Sequence, residues 1–174
     1  MTIDQSALGS AVKAVVAAAR AEDAAALYRA VMPPAGTDTP PAEVTAWFGS
    51  LVIHLALTAA SASKLERGCP REAVSAWVEQ VEGPPPTPAR LRAADPDGID
   101  HVEAMSAAAG YSRCREYAVD LIGVGLIEPD EDPDERAVDA HCAVTNDKDA
   151  RITVMAMLGR LAANPADPGG RGRR

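Results

Sequence analysis

Histidine is the side chain that changes charge near neutral pH and most readily binds divalent metals. This chain of 174 residues has three of them, His54, His101 and His141. Each falls on a different predicted helix, so a helical bundle could bring the three imidazoles together around one divalent metal ion. Spacing alone does not build that set, because there is no Glu-x-x-His and no second histidine four residues from another. His54 lies in Leu51-Val-Ile-His-Leu-Ala-Leu57, the most apolar stretch of the chain. There a buried imidazole, hydrogen-bonded to a neighbouring group, is the simpler expectation. Asp130, Asp132 and Asp134 have the alternating spacing of a calcium loop, but Glu135 stands where glycine must make the turn and His141 where a bidentate glutamate is needed. Carboxylates gathered at a helix N-terminus account for them better. Cys142 adjoins His141, yet neighbouring helix positions point about 100° apart and do not face one another.

A converged three-histidine set resembles DinB-like helical bundles, and that resemblance implies a metal-dependent enzyme with His54, His101 and His141 as ligands. A different resemblance is carried by Met105-Ser-Ala-Ala-Ala-Gly110-Tyr-Ser112-Arg-Cys-Arg-Glu-Tyr117, closed by Gly125-Leu-Ile127. This segment resembles a helix-turn-helix. The resemblance implies a turn at Gly110, a recognition helix over Ser112–Ile122, and Arg113 and Arg115 as readers of a DNA major groove. It covers about two dozen residues. Glu116 stands where a buried aliphatic is expected, and Glu116 and Asp120 offset the two arginines. Two ordinary packed helices with a glycine break are the favoured reading of the same segment.

The elements that must position these residues are helical. Leu8, Val12, Val15 and Ala19 mark a first amphipathic helix from about Ile3 to Arg20. Glu22 and Asp23 open a second, which Pro33-Pro34 ends. Thr39 before Pro40 predicts the start of the longest helix, running to Arg67 and stopping at Gly68, about 42 Å at 1.5 Å per residue. Val44, Trp47, Leu51 and Leu65 line one face and Ile53, Leu57 and Ala60 the other. That pattern predicts a central, buried helix. A compact helix from Pro70 to Gly83 follows. Beyond the prolines, further helices carry Val102 and Met105, then Cys114 to Ile122, with Gly125 as a C′ glycine ahead of Leu126. Another starts with Asp132 as N-cap and Pro133 as first residue, and the last, capped by Asn146 with Asp149, carries Ile152, Met155, Leu158 and Leu161. No stretch alternates with period two for long enough to predict a strand.

The expected fold is therefore all-α, with seven to eight helices in a bundle-like arrangement of two lobes around one long central helix. Residues 1–82 form the N-terminal lobe and 83–98 a stiff Pro-rich linker. Residues 99–163 form a C-terminal lobe packed with the first as one domain, and 164–174 a disordered tail ending in Arg171, Arg173 and Arg174.

Composition narrows the function. A net charge of −8 repels polyphosphate and anionic lipid, so nucleic-acid or membrane binding would need a basic patch that appears nowhere before the tail. The opening Met1-Thr2-Ile3-Asp4 is not a signal peptide's basic region, and the apolar run Gly49–Ala62 is short for a bilayer. Cys69, Cys114 and Cys142 are an odd number without C-x-x-C spacing, which predicts free thiols in a reducing cytoplasm. No phosphate loop, H-E-x-x-H, G-x-S-x-G or Rossmann fingerprint occurs. The reading that follows is a non-catalytic protein-protein interaction or regulatory module, possible as a homodimer through a broad apolar helix face. A DNA-binding regulator and a metal-dependent bundle enzyme are the alternatives, and no cofactor beyond that divalent metal is expected.

Overall fold

Short carboxylate side chains preceding apolar runs are what start most of these helices. Asp4, Asp23, Asp100, Asp134 and Asp147, together with Thr87, each accept a hydrogen bond from a backbone N–H in the first turn that follows. Such a cap contributes about 1 kcal/mol, so part of the acidic balance of the chain is structural. The structure, a computed structural model, describes residues 4–34, 40–96, 98–128 and 131–164. Among them are eight helices and no strand: α1 (Gln5–Arg20), α2 (Ala24–Val31), α3 (Pro41–Ser63), α4 (Arg71–Glu82), α5 (Pro88–Ala94), α6 (His101–Val124), α7 (Glu135–Asn146) and α8 (Lys148–Ala163). Thr39, Asp130 and the tail from 165 lie outside the described residues.

The helices pack as one bundle. A single apolar cluster takes Leu8, Val31, Leu51 and Leu55 from the first half and Leu121, Ile122 and Leu158 from the second, so the two expected lobes share a core. The Pro-rich segment between them is not simply extended, because Thr87 and Pro88 start α5, which lies along α6. The centre also holds two helices where one was expected. α3 packs on α1, α6, α7 and α8, while α8 touches those elements and α2 and α4 as well. Val154, Met155, Met157, Leu158 and Leu161 of α8 are sealed from solvent.

Several expected boundaries move. α3 ends at Ser63 because Lys64 takes a left-handed conformation, φ 55°, and its far face is not fully buried, since Leu57 is 41% exposed. At 23 residues α3 is long and apolar enough to cross a membrane by length and composition, yet half of that stretch is buried within the bundle. The helices expected on either side of Gly110 are one continuous α6. Asp134, not Asp132, caps α7, and Asp147, not Asn146, caps α8. Arg151 closes the α7–α8 turn by donating to the carbonyls of Val144 and Thr145, with its guanidinium 3.7 Å from the centre of the Phe48 ring.

Glycine and alanine set how closely the helices approach. Gly125 is not a left-handed cap (φ −78°). Its role is space, since a Cβ there would lie 2.6 Å from the Ala60 Cβ. At Gly159 a Cβ would lie 2.8 Å from the Ala19 Cβ and 3.2 Å from the Val15 carbonyl oxygen. Gly159→Ala is therefore expected to lose about 1–3 kcal/mol by overpacking. Gly110→Ala, where nothing beyond the local helix backbone lies within 4 Å of the added Cβ, should gain about 0.5–1 kcal/mol by raising helix propensity. Urea denaturation of the two variants beside the parent checks both signs.

Candidate functional site

The fold places the three histidines on three different helices, α3, α6 and α7. His54 is half-buried, and its Nδ1 lies 2.9 Å from the Ser50 carbonyl of its own helix, to which the ring N–H donates. His141 Nε2 makes the corresponding bond, 3.2 Å, to the Gly49 carbonyl across the α3–α7 interface. His101 is exposed at the first position of α6. Among the described residues no group of three or more His, Cys, Asp or Glu is placed to hold a metal ion. The expected three-imidazole group is not among them: two of the rings bond α3 backbone carbonyls and the third faces solvent.

The helix-turn-helix expectation is corrected. Its turn does not exist, because Gly110 lies inside α6. Arg115 is buried and donates to the Gly83 carbonyl at 2.9 Å, so it cannot read a base. Arg113 alone is exposed. Glu116 and Asp120 do not offset Arg113 and Arg115 but pair with Arg71 at the start of α4.

What the fold builds instead is a buried polar clamp with an open cleft beside it. The Glu82 side chain is 2% exposed and receives two bonds from Arg160, Nε at 2.8 Å and Nη2 at 2.6 Å. Tyr111 donates its hydroxyl to the same carboxylate at 3.1 Å. The Arg115–Gly83 bond lies at the next residue. Together these ties lock the end of α4 to α6 and α8. A carboxylate so enclosed is tolerable only because each oxygen is charge-paired and hydrogen-bonded.

The clamp fixes the half of α6 that lines a cleft of about 870 Å³. One wall is the α6 face running from Glu103 through Ala107, Gly110 and Cys114 to Tyr117, and the other is formed by Ala143, Ala150 and Thr153 of α7 and α8. From Glu103 to Tyr117 the wall is about 21 Å long. The floor is uncharged at neutral pH. Burial, followed by the nearby Asp147 charge, pushes the Cys114 thiol up, and burial, followed by Glu82, pushes the Tyr111 phenol up. Asp95, Glu103, Asp147 and Asp149 form the rim against the single guanidinium of Arg113. This arrangement offers carboxylate acceptors around a neutral, small-residue trough. It places no thiolate there to attack a substrate. The sequence carried a signal for it, since Ala107, Gly110 and Cys114 recur at three-to-four spacing, but that signal only acquires meaning once α7 and α8 supply the second wall.

Glu82→Ala should cost about 3–5 kcal/mol, because it strands the Arg160 charge; chemical denaturation measures it. The raised acids set an alkaline limit. The unfolded chain loses the Cys114 proton from 9.0 and the Tyr111 proton from 10.0, while the folded chain retains both to higher pH. Stability present below those values is therefore lost as pH rises through them, and Cys114→Ala should flatten the first part of that loss in urea midpoints. With the exposed Cys142 as internal reference, a thiol reagent at neutral pH should modify Cys142 well before Cys114.

No known protein family, curated protein or solved structure matches this chain.

Proposed function

We propose that the chain is a non-catalytic recognition protein whose α6 cleft receives a basic helical segment of a partner protein. The observation that carries this is the cleft itself: a long trough with an uncharged floor and four rim carboxylates against one arginine. Small residues on both walls let another helix approach closely, as in helix-in-groove recognition. The rim gives that helix its sign, because lysine or arginine at its edges would meet acceptors on either side. The chain's own charge of −8 disfavours a second copy as the occupant, and phosphate groups of a nucleic acid would meet the same carboxylates. Three free thiols support placement in a reducing cytoplasm.

Fluorescence anisotropy with a labelled amphipathic Leu/Ala/Lys helix tests the reading, with a Glu-for-Lys twin as control. The basic peptide should bind and weaken as salt is raised, and the acidic twin should not bind. Gly110→Leu fills the trough at a position with room for its Cβ. It should weaken binding by about ten-fold or more without lowering thermal stability. Asp149→Lys, at an exposed rim position, should weaken it by roughly 2- to 10-fold. Equal binding of both peptides, or an unchanged affinity in Gly110→Leu, would sink the proposal. A concentration-dependent dimer that Gly110→Leu disrupts would replace the foreign partner with a second copy.

A further inference from the structure

Farther along α6, a second cavity of about 460 Å³ opens between the α3–α4 loop, α4, the end of α6 and the start of α7. Its volume falls in the range of small-molecule sites. The back is apolar and well packed, with Val74, Val119, Leu126 and Ala137 all buried. Two glycines lie on its lining. Gly68 sits at φ +69°, and Gly123 has nothing within 4 Å of where a Cβ would be. A 2.7 Å bond from the Gly68 N–H to the Leu126 carbonyl ties the two loops behind it.

The mouth has the opposite character. Arg71 is the one cation among the described lining residues, and it is already committed, Nε to Asp120 at 2.6 Å and Nη2 to Glu116. The Asp120 side chain is 9% exposed. Its Oδ1 takes the Arg71 bond, and its Oδ2 has no donor among the described residues. Glu131, Asp132 and Asp134 add three carboxylates to the lining, of which Asp134 also caps α7 through the Ala137 N–H. An apolar chamber behind a mouth with surplus negative charge selects a molecule that is apolar at one end and cationic at the other.

We infer that this cavity is a binding site for a small amphipathic amine, its alkyl or aryl body against Val74, Val119 and Leu126 and its ammonium beside Asp120 and Asp132. The α6 cleft is a separate place, so either site stands without the other. A carboxylate-bearing ligand of the same shape would meet the rim charges with the wrong sign, and an alcohol would leave the surplus charge uncompensated.

Phenylbutylamine, phenylbutanol and phenylbutyrate form a matched cationic, neutral and anionic set for titration of the intact chain by NMR and calorimetry. The expected result is binding of the amine with amide shifts at Gly68, Gly123 and Val124, about ten-fold weaker binding of the alcohol, and none of the acid. Gly123→Leu fills the chamber and should abolish the amine shifts. Asp132→Lys, an exposed loop substitution outside any cap or ion pair shown, should weaken the amine by about ten-fold and provides the decision if Gly123→Leu does not fold. Absence of amine binding would overturn the inference. So would equal binding of all three probes, amine shifts confined to the α6 cleft, or an unchanged amine affinity in Asp132→Lys.

Discussion

A buried carboxylate with all of its partners inside the protein is the constraint on which the rest of this bundle depends. Glu82 ends α4, and the two groups that hold it come from α8 (Arg160) and α6 (Tyr111). Removing a carboxylate from water is expensive, so the site is stable only when these helices are seated together. Arg115 ties the adjoining Gly83 carbonyl to α6 from the same side. An apolar contact tolerates sliding, whereas a bidentate arginine–carboxylate pair does not. The clamp thus sets the register of α6 against α4 and α8, and the position of Tyr111 in the floor of the cleft follows from it.

Around that fixed point, packing relies on small residues. Ala19 against Gly159 and Ala60 against Gly125 bring helix backbones close enough that a single added methyl would collide. The chain has only six aromatic residues, and two of the three that are buried carry specific duties. Trp47 donates its indole N–H to the Val31 carbonyl at 3.0 Å, joining α3 to the end of α2, and Phe48 supplies the face on which Arg151 rests. Close backbone approach replaces large side chains as the means of excluding water, which is how an alanine-rich sequence obtains a core. It also leaves shallow troughs where facing residues are small and no further helix fills the gap, as along Ala107 and Gly110.

Much of the architecture was legible in the sequence because helix signals are local. Three-to-four apolar spacing, prolines after α2 and before α4, and aspartates ahead of apolar runs mark segments whatever surrounds them. Where the reading failed, two local signals competed. Gly110 reads equally as a turn or as an interior helix residue, and only the capping box at Asp100–Glu103 together with α5 and α4 alongside makes one helix of the whole span. Asp132, Asp134, Asn146 and Asp147 are all competent caps, and the choice among them falls to whichever lets the apolar face of the following helix meet the core. The candidate site was less legible. Arg113 and Arg115 stand two apart in sequence, yet one lines an open cleft and the other is buried on a carbonyl contributed by residue 83.

What the sequence by itself determined is the helical class, most helix positions and the acidic surface. Propensity, capping and charge are properties of a residue and its near neighbours. Tertiary structure alone decided that α8 joins α3 at the centre, that the two halves share one core, and that Glu82 meets Arg160 across 78 positions of chain. It also decided that the three histidines form no common cluster among the described residues while four carboxylates gather around a cleft. Those outcomes depend on which helix faces meet, and that is a property of the whole bundle's packing and of no single segment.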